Sequence, residues 1–223
     1  MNLFILSLNP EEIAKYMMDK HIAKIILEAV QMLCSAKRLI DGGVGGDAPL
    51  YKLAHKNHPV TIWCRASQAN FIWTLDLVDA MHAEWKYRYN HPESKQHKSY
   101  SVAQYLRENI PAPYKFEKEK TMNRMTPFAL AMPDEYKVRN THSSTTTNHK
   151  TGKGLGTSNG DDSFDAVASY RSYYLSAPKR KIASWKKRRG MPEWYASGLK
   201  QIKNSESSKY RYKTRLVIIR CKD

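Results

Sequence analysis

"MMDKHIAKIILEAVQML" (residues 17–33) carries apolar residues at helical spacing on one side and His21, Lys24, Glu28 and Gln31 at intervals of three, four and three on the other. At about 100° per residue, Ile22, Ile25, Ile26, Ala29, Val30 and Leu33 share a face, while Lys20, Lys24, Glu28, Gln31, Ser35 and Arg38 lie opposite. The pattern predicts an amphipathic helix, and it sets a mainly α fold. His21 stands at the boundary of the two faces, almost above Glu28. Periodicity alone makes the polar row a solvated face with Lys24 and Glu28 as an i,i+4 pair. The other reading is the wall of a site.

Outward from this stretch, "NPEE" (9–12) opens the helix: Asn9 caps, Pro10 suits the first helical position and Glu12 follows three residues after the cap. The helix should run to about Ile40 and stop at the glycines of "DGGVGG". "NHP" (57–59) opens a second helix, which keeps its spacing to Asn90, and Ser99–Asn109 suits a short third. Pro-punctuated stretches at 110–137 read as irregular. Residues 138–162, rich in Thr, Ser, Asn and Gly, read as a mobile loop. Its "GKGLGTSNG" lacks the spacing and the preceding strand of a phosphate loop. Phe164–Trp185 reads as a helix broken at Pro178, "RRGMPEWY" as a turn before an aromatic segment, and "RLVIIR" (215–220) as a short strand. The expected architecture is a compact helical domain over 1–195 with a basic tail over 196–223.

With 223 residues, 41% of them hydrophobic, the chain can bury one core. No run of eighteen apolar residues suggests a membrane span, and "LFILSL" leads into "NPEE" rather than a cleavage site. Three separated cysteines outline neither a disulfide framework nor a zinc ribbon. His55 and His58 lack a nameable ligand set, so no metal or other cofactor is expected. These features fit a cytoplasmic protein.

The net charge is +16, and residues 179–223 hold 15 Lys and Arg against 3 Asp and Glu. A basic block interleaved with aromatics suits a nucleic acid better than a lipid surface. Arg171, Lys179, Arg180, Lys186 and Arg188 are candidate phosphate contacts, joined by Lys24, Arg65 and Arg88. Trp194 and Tyr195 are candidates to stack on bases. On the second helix Trp63, Asn70, Glu84 and Arg88 share a face mixing aromatic and polar groups, which suits a cleft wall or a packed Trp with a charged rim.

Five short blocks, "MNLFIL" (1–6), "DKHIAKIILE" (19–28), "HPVTIW" (58–63), "AMPDEYK" (131–137) and "PEWY" (192–195), stand in an order that resembles the phage pyrimidine-dimer DNA glycosylases of the endonuclease V type. They are also similar to uncharacterised phage proteins, which places the expected cytoplasm in a host cell. The resemblance implies an N-glycosylase, with possible abasic-site lyase activity, that acts on damaged or modified pyrimidines in duplex DNA with a base extruded. It implies that an amino-terminal α-amine, of Met1 or of Asn2 after removal of Met1, attacks C1′ of the nucleotide. Glu28 is then the catalytic carboxylate, and His21 helps to hold the distorted DNA. An α-amine titrates at about pH 8 in short peptides, so a useful fraction is neutral at pH 7, and a carboxylate can stabilise an oxocarbenium-like sugar. The competing reading from charge alone is a non-catalytic nucleic-acid-binding protein, or another base- or nucleotide-modifying enzyme.

Overall fold

The computed structural model describes residues 1–43, 48–116, 124–140 and 163–220, with side chains as far as 207. The fold is mainly helical. Its elements are α1 (Pro10–Tyr16), α2 (Asp19–Ile40), α3 (Pro59–Ala66), α4 (Gln68–Tyr89), α5 (Tyr100–Glu108), the two-residue strands β1 (Val138–Arg139) and β2 (Phe164–Asp165), α6 (Ala166–Tyr174), α7 (Ala177–Arg180) and α8 (Glu193–Arg220). Single 3-10 turns lie at Pro113–Lys115 and Asp134–Tyr136. Among the described residues no helix is long and apolar enough to cross a membrane.

The expected starts are present. The Asn9 side chain accepts hydrogen bonds from the Glu11 and Glu12 amides, with Pro10 in the first turn of α1. At α3 the His58 ring accepts from the Val60 amide at 3.2 Å. Each of the two long expected helices, however, is divided. The first breaks at Met17 and Met18, whose backbones are extended with ψ of 143° and 151°. The second breaks at Ser67, also extended, whose hydroxyl caps α4 by accepting from the Asn70 amide at 3.1 Å. There the Asn70 side-chain amide takes the Trp63 carbonyl at 2.7 Å, which an unbroken helix would have given to Ser67.

The core lies where α2 meets α3, α4 and α5, with α1 laid across α4. Ile22, Ile25, Ile26, Ala29, Val30 and Leu33 are all buried, as the wheel requires, and Leu3–Leu6 bury beside them. The opposite face of α2 is not uniformly wet: Ser35 is buried too. The Ser35 hydroxyl donates to the Ala54 carbonyl and accepts from the Ala54 amide, and Arg38 binds the carbonyls of Leu50 and Tyr51. The loop after α2 therefore folds back along its carboxy-terminal half.

Two expectations near the carboxy terminus change. Residues 215–220 ("RLVIIR") belong to α8 rather than to a strand. Among the described residues the one sheet is β1 paired antiparallel with β2, and that segment is not part of it. The helix also runs unbroken across the position at which the basic tail was expected to begin. Gly198 lets it lie on Leu175, whose side chain would overlap any added Cβ. Of the expected loop 138–162, the start is β1, and 141–162 lie outside the described residues.

Arg88, 2% exposed, ties these parts together. Its Nε donates to Glu84 Oε1 at 2.6 Å, Nη1 to the Met17 carbonyl and to Asp19 Oδ1, and Nη2 to the carbonyls of Ala14 and Lys15. All five guanidinium N–H groups are used. Three of those partners are carbonyls at the end of α1, which lack helical donors. Trp185 Nε1 takes the remaining Tyr16 carbonyl at 3.0 Å. Asp19, which opens α2, also accepts from the Ser184 hydroxyl and the Lys186 amide.

Replacing Arg88 with Met should leave the buried Asp19 without its cation, Glu84 with Arg189 alone and the carbonyls at the end of α1 without donors, and cost about 3–5 kcal/mol of unfolding free energy, measured by urea denaturation. Arg88→Lys, with three donors, should recover part of it. A loss below about 1 kcal/mol for Arg88→Met would contradict this account.

Candidate active site

The amino terminus is built into the core rather than left free. Asn2 is 6% exposed. Its side-chain oxygen accepts from the Leu3 and Phe4 amides, at 2.9 and 3.3 Å, and its side-chain nitrogen donates to the Ala131 carbonyl at 2.7 Å. Phe4 sits at φ 52°, a left-handed conformation costing a non-glycine residue about 1–3 kcal/mol. The resulting turn brings the terminus back over α2. The Asn2 amide donates to Glu28 Oε2 at 3.1 Å, and the Met1 α-amine lies 3.8 Å from the same oxygen.

Two aromatics, Phe4 and Tyr174, fix the buried His21. Its ring stacks on Phe4 with centroids 4.5 Å apart, meets Tyr174 edge-on, and its Nδ1 lies 2.6 Å from the Tyr174 hydroxyl. Burial, reinforced by the charges of Lys179 and Lys24, pulls its pKa down to about 3. Burial also raises the Tyr174 phenol far above its ordinary value. At neutral pH both groups are therefore uncharged, and the contact is a hydrogen bond between a neutral imidazole and a neutral phenol.

A pocket of about 180 Å³ opens between these groups, with Met1, Asn2, His21, Lys24 and Glu28 on one part of its wall and Ala131, Tyr173 and Lys179 on another. Lys24 Nζ is 3.5 Å from Glu28 Oε1 and is largely exposed. The Lys179 ammonium stands 4.5 Å from the centre of the Phe4 ring and 5.3 Å from that of Tyr173. Burial and the neighbouring Lys24 lower the pKa of Lys179, against the pull of Glu28. His58 is also held toward its neutral form, by burial first and then by the terminal amine and His55.

The arrangement joins an amine, a carboxylate and flanking cations at one small opening. An amine beside a carboxylate can lose a proton to it, attack an electron-poor carbon, and leave the carboxylate to balance positive charge on a sugar. Sequence reasoning found Glu28, His21, Lys24 and the terminus. Lys179, expected to contact phosphate, also reaches the pocket, whereas Tyr173 and Ala131 were not among the candidate site residues, although Ala131 begins the quoted block "AMPDEYK".

Other candidates lie elsewhere. Gln31 is half-buried and outside the pocket lining. Trp63 and Asn70 are buried against the segment after 124, binding the Thr126 carbonyl and the Thr126 hydroxyl and amide. They are a packed face, not a cleft wall. Glu84 is buried between Arg88 and Arg189; desolvation opposes its charge, but hydrogen bonds from both guanidiniums hold its pKa below the usual carboxylate value. Arg88 has no donor left for a phosphate. Tyr195 is 1% exposed and packs on Trp185, so its ring offers no stacking surface. Trp194 is half-buried with Arg171 5.0 Å over its ring, and Arg171 Nε is spent on the Leu6 carbonyl. Arg65 Nη1 donates to the Lys56 carbonyl. Arg180 is half-buried, whereas Lys186 and Arg188 are exposed, the latter 5.6 Å over Tyr87.

Residues 1–97 match the family model of pyrimidine dimer DNA glycosylases. The likeness seen in the first three sequence blocks thus holds over the part of the chain that carries α1–α4, the terminus and Glu28. No curated protein and no solved structure matches the chain.

The buried neutral His21 makes stability pH-dependent. The unfolded chain takes up the imidazole proton below about pH 6.5, and the folded one resists until about pH 3. Stability is full above about pH 6.5 and is lost as the pH falls toward the folded value. His82, lowered to about 4 chiefly by burial, adds to the same trend. Between pH 6.5 and 5 the His21 share is at most about 2 kcal/mol, at about 1.4 kcal/mol per unit. Urea midpoints measured across this range should fall, and His21→Gln should flatten the slope. An unchanged slope in that variant would refute the assignment.

Proposed function

We propose that this chain, whose amino-terminal 97 residues carry the pyrimidine dimer DNA glycosylase pattern, is a base-excision enzyme. It removes damaged or modified pyrimidines from duplex DNA and cleaves the abasic strand by a lyase step. The observation that supports this most is the meeting of the terminal α-amine and the Asn2 amide at one carboxylate, Glu28, inside a cationic pocket.

In this reading the amine, after giving a proton to Glu28, attacks C1′. The N-glycosidic bond breaks with its electron pair going to the base, which leaves protonated. The C1′–O4′ bond then opens, O4′ takes a proton, and an imine links C1′ to the amine. Glu28 passes the first proton to the leaving base and, again a carboxylate, balances the positive charge that develops on the sugar; the second proton released by the amine goes to O4′. In the lyase step a base removes the C2′ proton, the electron pair moves toward the imine, and the 3′ phosphate departs. Asn2 positions the amine through its three side-chain hydrogen bonds. His21 keeps Phe4 and the turn in place, and the exposed Lys24, Lys186 and Arg188 attract the DNA backbone.

Sodium borohydride should trap a covalent complex with duplex DNA containing an abasic site, and digestion should place the adduct on the amino-terminal peptide. Glu28→Gln should lower base release and strand cleavage about 100-fold or more while leaving DNA affinity within a few-fold. No trapped adduct, together with no base release from ultraviolet-irradiated duplex, would remove the proposal in favour of a non-catalytic DNA-binding role.

A further inference from the structure

The pocket beside Glu28 carries an unbalanced charge. Its lining contains two ammonium groups, Lys24 and Lys179, besides the terminal amine, and Glu28 is the one carboxylate. Glu28 is already engaged with the terminus and with Lys24. Lys179 is half-buried, rests on the faces of Phe4 and Tyr173, and has no ion pair among the described residues. Lys24 and Lys179 lie near enough to repel one another, which disfavours the charged state of Lys179. Folding has brought like charges together around an opening, an arrangement that an anionic occupant relieves.

The volume narrows what that occupant is. About 180 Å³ is below the roughly 300–1,000 Å³ of sites that enclose a whole small ligand. A sugar ring fits, and a sugar with its base does not. The negative charge must then come from groups attached to the sugar. A nucleotide inside a strand carries one singly charged phosphodiester on each side, two charges for two lysines.

We propose that Lys179 and Lys24 each take one of the two phosphodiesters flanking the reacting sugar, so that the pocket selects a sugar within a strand over a strand end. This rests on the glycosylase reading above and adds to it a residue role and a selectivity. Lys179, fixed between two aromatic rings, sets where the phosphate lies. Lys24, long and exposed, follows it.

The test uses the full chain and duplex DNA with a tetrahydrofuran abasic analogue, which cannot react and therefore reports binding even where trapping fails. In the wild type, replacing either flanking phosphate by a neutral methylphosphonate should weaken binding about tenfold. In Lys179→Met, one of those two penalties should vanish and the slope of log K against log salt should fall by about 0.9. Lys24→Gln should remove the other penalty, and Lys179→Arg should restore the first. Equal penalties in wild type and Lys179→Met, or an unchanged salt slope, would overturn the proposal. Should Lys179→Met fail to fold, as judged by its thermal transition, the wild-type comparison decides: no penalty at either linkage refutes the proposal, and penalties at both support it. Failure of borohydride trapping with these binding results intact would count against the catalytic reading alone.

Discussion

A single guanidinium between two carboxylates organises this protein. Arg88 projects from the end of α4 into the corner where α1 stops and α2 starts, with Glu84 on its own helix and Asp19 across from it. A desolvated pair of carboxylates is tolerable only with their cation in place and with the remaining donors satisfied. Arg88 meets both conditions, because its other N–H groups go to carbonyls that the end of α1 would otherwise leave bare. The break between α1 and α2 is thereby stabilised by a residue some seventy positions away.

The site depends on that corner. Asp19 fixes the first turn of α2, and through Ser184 and Lys186 it also ties down the segment after α7. His21 follows two residues later and Glu28 two helical turns beyond. On the other side of the corner the segment before α1 runs back to the same helix, where Asn2 and Met1 meet Glu28. The amine and the carboxylate are therefore brought together by elements that share one anchor, and a strained Phe4 is held in its left-handed conformation with its ring stacked on His21 and edge-on to Tyr174.

What could be read from the sequence was local. Asn9 with Pro10, and His58 with Pro59, announce helix starts through hydrogen bonds that span two or three residues. The apolar spacing from Ile22 to Leu33 is a property of one helix, and Glu28 with His21 stood out by their spacing within it. The helix breaks at Met17–Met18 and Ser67 could not be read in this way, since the groups that stabilise them are the Arg88 and Trp185 side chains in one case and Asn70 in the other. The mixed face of Trp63, Asn70, Glu84 and Arg88 fits both a cleft wall and a packed Trp with a charged rim, because periodicity reports polarity and not pairing. In the fold those polar groups are satisfied by Thr126, Trp63, Asp19 and Arg189. Lys179 is marked by its basic surroundings as a phosphate contact, but its place at this pocket, like those of Tyr173 and Ala131, is set by contacts with residues more than a hundred positions away.

The far wall of the pocket has a different kind of attachment from the near one. Glu28, His21 and Lys24 stand on a helix locked into the core. The strip that contains Ala131 hangs instead on side-chain hydrogen bonds: Trp63 and Asn70 hold Thr126, the Tyr170 hydroxyl donates to the Ala129 carbonyl and accepts from the Ala131 amide, and Asn2 holds the Ala131 carbonyl. None of these bonds reads the side chain of Phe128, Ala129, Leu130 or Ala131. Phe128, stacked on Trp63 and edge-on to Trp73, and the buried Ala129 are set in size by packing, whereas the half-buried Ala131, which faces the pocket, is held through its backbone and can change while the path is preserved. In evolutionary terms the two walls are decoupled: the reacting groups can stay constant while the shape facing them is remodelled one side chain at a time.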